Sequence, residues 1–416
     1  MSFGSTTMDS HFASLMNACA VRDGCYRLAE NVKSGSGKCL DFHPDRLQTC
    51  VDLVVKTCLD NYPDLDIPLH SRWRHFVMQT EPVLDLWHRY TAGFQGDDQS
   101  LARSAIDLVF VSVLLDAGAG EDWSYEVPFT GKRLARSEGL AAASLELFFN
   151  HLARFDPRKG WIVDARALCD LDETTLAEVF DHRASNPLVG LHGRWKLLHA
   201  LGEGLMKISP DARPSLVVDL CREKASSEQS ESENSIEAGW LLNQVLIHFG
   251  HIWPSGYLYQ GHNLGDCGHY APFGDESIES IIPFRKLSQW LTYSLVEPLG
   301  LAGVVVTELD QLTGLPEYRN GGLFLDMGVL STKQPLDPDV ELALDSQWVI
   351  EWRGMTVYLL DQVAKRVRCH FGKSADELPL CAVLQGGTWA AGRRIAQQLR
   401  EGGPPPVALA ISGTVF

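Results

Sequence analysis

Glu317, Tyr318 and Arg319 stand side by side in LTGLPEYRNGGLFLDMGVL (residues 312–330) and bring a carboxylate, a phenol and a guanidinium together. A carboxylate can take a proton from water or stabilise a developing cation, a phenol can donate a proton, and a guanidinium can grip an anion. Gly321 and Gly322 follow at once. A glycine pair permits positive φ or a close approach to a ligand, which predicts a loop whose lip carries the three polar side chains. A plain turn between helices accounts for the glycines equally well, but not for the acid, phenol and guanidinium. Asp326 adds a second carboxylate further along the same stretch.

Other segments offer partners. IIPFRKLSQWLTYSLVEPLG (residues 281–300) has the spacing of a helix, with Phe284, Leu287, Trp290, Leu291 and Leu295 on one side. Lys286, Gln289 and Tyr293 form an adjoining stripe that can face a pocket, although spacing alone favours the solvated edge of an amphipathic helix. GHNLGDCGHY (residues 261–270) holds His262, Asp266, Cys267 and His269, but not at the spacing of a zinc site, so capping and turn roles are expected and no metal. Glu351 and Arg353 appear just before a long expected helix, and Gly386 and Gly387 precede another that carries Trp389 and Arg393. A glycine pair before a helix can present free N–H groups to an anion. No P-loop, GxGxxG after a strand, GxSxG or HExxH occurs, which removes the commonest nucleotide, serine hydrolase and zinc protease templates.

The elements that must position these residues are mostly helical. LVFVSVLLDAG, GLAAASLELFFNHLARF and WLLNQVLIHFGHIW are so densely apolar that their helices should be buried on most sides. Strand candidates are confined to GVVVTEL (residues 303–309) and the C-terminal PPVALAISGTVF (residues 405–416). The Ser- and Glu-rich run at residues 222–235 reads as a flexible acidic surface loop inside one large α-rich domain spanning residues 1–416. Of 416 residues 45% are hydrophobic, enough for a substantial core, and the net charge of -17 disfavours nucleic acid and anionic membranes. No basic leader followed by an apolar run and no membrane-length segment is visible, and the ten cysteines are scattered without CxxC pairs. A cytoplasmic protein with reduced thiols is expected.

Several blocks in fixed order carry a resemblance: SRWRHF (residues 71–76), LLDAGAG (114–120), RSEGLAAASL (136–145), NPLVGLHGR (186–194), PFRKLSQWLTYSLVEPL (283–299), LTGLPEYRNGGLF (312–324) and LQGGTWAAGR (384–393). Together they resemble the uracil-catabolism protein 4 family over nearly the whole chain. Two departures from that family are visible: VMQTEPVLDLW follows SRWRHF in place of a glycine-rich continuation, and Arg285 precedes Lys286 where a histidine is usual.

The last third is also similar to queuosine-nucleotide N-glycosidases. Lys286 and Gln289 match that family's K-x-A-Q helix, Glu317, Tyr318 and Arg319 its D-Y-R motif, and Glu351 to Gly354 its E-I-R-G motif. Its Leu-Trp-Asp motif is matched only at Trp389, with Ala390 where the acid would fall, as a different substrate would require.

The resemblance implies a mainly α fold with a DNA-glycosylase-like helical core, a few short strands, and hydrolysis of the C1′–N bond of ribosylurea 5′-phosphate to urea and ribose 5-phosphate. It implies Glu317 as the carboxylate at the anomeric carbon, with Tyr318, Asp326 or His269 as proton donor. Lys286 is the expected phosphate partner, supported by Arg319, Arg353 or Arg393. Gln289, Asp266 and His269 join the substrate-binding set, and Trp389 and Trp290 wall out water. No cofactor is required. The alternatives are a non-catalytic protein that binds the intermediate or docks on the ring-opening enzyme, and an amidohydrolase acting on the urea, which would need metal ligands.

Overall fold

The computed structural model describes residues 14–78, 84–227, 234–253, 257–275, 277–337 and 340–410. Helices dominate it, and the strands are at most three residues long. The longer helices are α1 (Ala18–Lys33), α2 (Leu47–Asn61), α3 (Asp98–Leu114), α4 (Arg136–Leu147), α5 (Leu191–Met206), α6 (Leu216–Ser227), α7 (Ala238–Phe249), α8 (Lys286–Leu301), α9 (Tyr318–Asp326), α10 (Gln347–Phe371) and α11 (Trp389–Leu399). Their ends follow local chemistry. Asn17 and Asp97 accept backbone N–H bonds at the starts of α1 and α3, Ser346 caps α10, and Gly372, with φ 64°, ends α10 in the left-handed conformation.

One continuous set of buried apolar side chains draws on residues from Ala18 to Leu409. Near its centre lies α8, packed by α3, α7 and the short helix Arg72–His75. Every residue from Lys286 to Leu295 is buried. The expected solvated edge is therefore absent from this helix: its polar side chains face protein, and each finds a partner there.

Paired strands fasten distant parts of the chain. Leu40–Phe42 runs antiparallel to Leu330–Thr332, and Ser235–Glu237 runs parallel to Val305–Thr307, the latter inside a segment expected to be a strand. Cys267–His269 pairs antiparallel with Ile281–Pro283 in a register that sets Cys267 opposite Pro283. One step beyond, the amides of Phe284 and Arg285 donate to the carbonyl of Asp266 at 2.9 and 3.1 Å. This hairpin brings Asp266 to the start of α8.

Several expectations are corrected. Gly321 and Gly322 lie inside α9 rather than in a loop, and Glu351 and Arg353 lie inside α10 rather than before it. Gly386 and Gly387 sit in a π-helical turn, Leu384–Thr388, between the short helix Leu380–Val383 and α11, so they do not open a helix N-terminus to an anion. Their role is close packing: a Cβ on Gly386 would meet Ile67 at 2.8 Å, and one on Gly387 would meet Val54 at 2.7 Å. Within the expected acidic loop, α6 continues to Ser227 and Ser235 opens a strand, and residues 228–233 lie outside the described residues. The C-terminal strand is reduced to a bridge between Leu342 and Leu409, with residues 411–416 outside the described residues. No helix among the described residues is long and apolar enough to cross a membrane.

Candidate active site

Two helix N-termini converge on one buried charge pair. Glu317 is the N-cap of α9, and its carboxylate accepts the amides of Arg319 at 2.7 Å and Asn320 at 2.6 Å. Lys286 is the first residue of α8, and its own amide donates to Asp266 Oδ2 at 2.8 Å. Glu317 is 8% exposed and Lys286 9%. Burial pushes the Glu317 carboxyl up, against the pull of its two amide bonds and of the Lys286 and Arg319 charges. Burial likewise pushes the Lys286 ammonium down, against the attraction of Glu317 first and Asp116 second. Each therefore tends toward its neutral form more readily than in water, as a group that exchanges protons in a reaction must. Tyr318, beside the carboxylate, is pushed up by burial and by the Glu317 charge, so its phenol holds a proton at neutral pH.

Asp266 and Arg353 form the support beneath Lys286. Arg353 donates to both carboxylate oxygens of Asp266, at 2.7 and 2.8 Å, while its guanidinium lies 4.0 Å from the centre of the Phe284 ring. These two residues, expected to bind substrate, are engaged in fixing the start of α8, where Arg285 takes a left-handed φ of 53°. Gln289 is similarly engaged: its amide group exchanges hydrogen bonds with Thr313, 2.8 Å in each direction, and so pins the loop before Glu317 to α8. Glu351 is structural too. Its carboxylate accepts the amides of Lys38, Cys39 and Leu40 and the Tyr270 hydroxyl.

Two further expected site residues point elsewhere. Asp326 ends α9, about 12 Å along the helix from its first residue at 1.5 Å per residue. There it is bound by Arg400 at 2.8 and 2.6 Å. His269 has Nε2 3.1 Å from the Gly274 carbonyl and its ring stacked beside Tyr257. Arg319 stays beside the site: it donates to the Gly403 carbonyl at 2.8 Å while its guanidinium lies 5.0 Å from the centre of the Tyr318 ring.

Trp389 and Arg393 do approach the site. A Cβ on Gly392 would meet the Arg319 carbonyl oxygen at 2.2 Å, so only glycine lets α11 lie this close to α9, and Thr388 donates to Asn320 Oδ1 at 2.8 Å. Arg393 is half-buried, 5.8 Å from the Trp389 ring centre and 4.0 Å from Glu138.

A second acidic centre was not picked out from the sequence. Asp116 receives Arg72 at 2.9 Å, the Ser137 hydroxyl at 2.5 Å and the Trp290 indole N–H at 3.1 Å. Arg72 is fully buried, and its Nη2 meets no acceptor among the described residues. Arg194, also fully buried, donates to the carbonyls of Leu115, Ala117 and Gly118 and so shapes the turn that presents Asp116. Trp290 stands one helical turn after Lys286, on the same face of α8. The ordered sequence blocks thus meet in space: Arg72, Asp116, Ser137, Arg194, Trp290, Glu317 and Trp389 each come from a different one. The visible signal for Asp116 was an aspartate directly after a helix as apolar as α3.

The sequence model of a family described as "Protein of unknown function (DUF1688)" matches residues 14–416. The chain is 36% identical over 414 residues to "Protein urg3" of Schizosaccharomyces pombe, covering 97% of this chain and 98% of that protein. It is 32% identical over 448 residues to "Uracil catabolism protein 4" of Lachancea kluyveri, covering 99% and 100%. With a family match over residues 14–416 and relatives matched over nearly their whole length, the chain belongs to the DUF1688 family.

Proposed function

We propose that this protein acts in uracil catabolism, as the name of one relative suggests for that relative, and that it is an N-glycosidase for ribosylurea 5′-phosphate. The observation that carries the reading is the buried pair of Glu317 and Lys286 at two converging helix N-termini, flanked by Tyr318 and Trp290.

In this reaction the C1′–N bond breaks through a state with cationic character at C1′, and a bond forms from C1′ to the oxygen of water. The Glu317 carboxylate stabilises the developing cation and receives a proton from the water. Urea is a poor anion and leaves after its nitrogen gains a proton, for which Tyr318 is the remaining donor, since Asp326 and His269 are engaged elsewhere. The sugar phosphate is attracted by Lys286, with Arg393 contributing from α11. Asp116, second to Glu317, favours the charged form of Lys286 against burial, and it holds the Trp290 indole.

The test is to incubate the purified protein with ribosylurea 5′-phosphate and measure urea and ribose 5-phosphate. Stoichiometric release supports the reading. Tight binding with the substrate intact would favour a protein that holds the intermediate without cleaving it.

A further inference from the structure

His70 lies outside the sequence motifs discussed above, yet it sits between the two tryptophans of the site. Its ring centre is 4.8 Å from that of Trp290 and 6.3 Å from that of Trp389. The residue is 8% exposed, and its amide is tied to the Cys381 carbonyl at 3.1 Å. Nδ1 lies 2.8 Å from Gln385 Oε1, an oxygen that can only accept. The proton therefore resides on Nδ1, and Nε2 carries a lone pair. No donor among the described residues meets Nε2. Burial pushes the imidazole down to about 4, so the ring is neutral at physiological pH.

The corner is thus two indole walls around an uncharged acceptor, with His75 also against Trp290, 6.4 Å between ring centres, and the Asp116 carboxylate on the Trp290 indole N–H. An anion is repelled by the lone pair and gains nothing from the walls. A neutral N–H donor with a flat apolar body fits both features.

We infer that His70 determines leaving-group specificity, its Nε2 accepting an N–H of the neutral ureido or amide group attached to the anomeric carbon. This rests on the glycosidase reading and adds to it which end of the substrate faces Trp290. Gln385 is a positioning residue that fixes the tautomer. The arrangement favours a ureido group over a ring nitrogen that carries no hydrogen.

The experiment measures binding in the Glu317→Gln protein, where turnover is suppressed, with two probes: ribosylurea 5′-phosphate and ribose 5-phosphate. Adding His70→Leu should weaken the first by about tenfold or more and change the second by less than about twofold. His70→Gln, which retains an acceptor, should recover part of the loss. Should the leucine variant not fold, Gln385→Leu leaves the ring in place and should weaken only the ureido probe, by about threefold. Equal losses for both probes, or no loss for either, overturns the assignment. Selective loss in a protein whose unmutated form releases no urea upholds the His70 contact and rejects the glycosidase reading, so the two failures are distinguishable.

Discussion

The carboxylate of Glu317 and the ammonium of Lys286 begin different helices and interact while both are more than nine-tenths buried. A buried pair of this kind carries a desolvation cost that its mutual attraction only partly offsets, so the fold must hold it in place. It does so from below Lys286 through Asp266 and Arg353, and from behind Glu317 through the amides of α9.

The pH profile of kcat/KM should be narrowed on both sides. Ionised Glu317 is required, and its raised value moves the acid limb above the ordinary glutamate range. Protonated Lys286 is required, and its lowered value brings the alkaline limb below the ordinary lysine range. The stability linkage has the matching sign. The raised carboxyl makes folding less favourable as pH rises through its folded value, and the lowered amine does so as pH falls from the ordinary lysine value. Lys286→Arg keeps a cation that does not titrate, so its profile should lose the lysine limb and keep only the later alkaline loss of the Tyr318 phenol, above the ordinary tyrosine range.

Asp116→Asn should destabilise the protein by about 3–5 kcal/mol, because it leaves the buried Arg72 without its counter-charge. Urea denaturation measures the loss. Tryptophan emission from the folded state should shift as well, since the Trp290 indole N–H loses a charged acceptor.

Asp326→Asn and Glu351→Gln separate structural acids from the reacting one. The first removes the charge from a largely buried pair with Arg400 far along α9 and should leave kcat within about twofold, with a loss of about 1–3 kcal/mol in stability. The second disturbs a carboxylate holding three backbone amides and should cost about 1–3 kcal/mol, with activity per folded molecule retained. Thermal melts paired with active-site titration check both.

Gly321→Ala should be costly even though alanine favours helix. The added Cβ would lie 2.6 Å from the Trp352 ring, whose N–H bonds to the Gly321 carbonyl at 3.0 Å. Overpacking of this sort costs about 1–3 kcal/mol, measured as a lower denaturation midpoint.

The helical character of the chain was legible because apolar residues recur at helical spacing, and Lys286, Glu317 and Trp389 were legible as reactive types in ordered motifs. What spacing did not reveal was direction. Gln289 and Tyr293 share a stripe with Lys286, yet both bond to Thr313, because a fully buried helix uses polar residues to tie down its neighbours. Glycine pairs misled for a related reason: in α9 and in the turn before α11 they make room for Trp352, Ile67 and Val54 rather than bending the chain. Asp116, Arg72 and His70 belong to segments remote in sequence from Lys286, and only the packing of those segments on α8 joins them.

The most direct measurement of the central claim is urea release from ribosylurea 5′-phosphate by the unaltered protein and by Glu317→Gln. The account predicts turnover by the first and a fall in kcat of about 10³-fold or more in the second, with substrate affinity largely kept. Turnover by Glu317→Gln at close to the unaltered rate would contradict it.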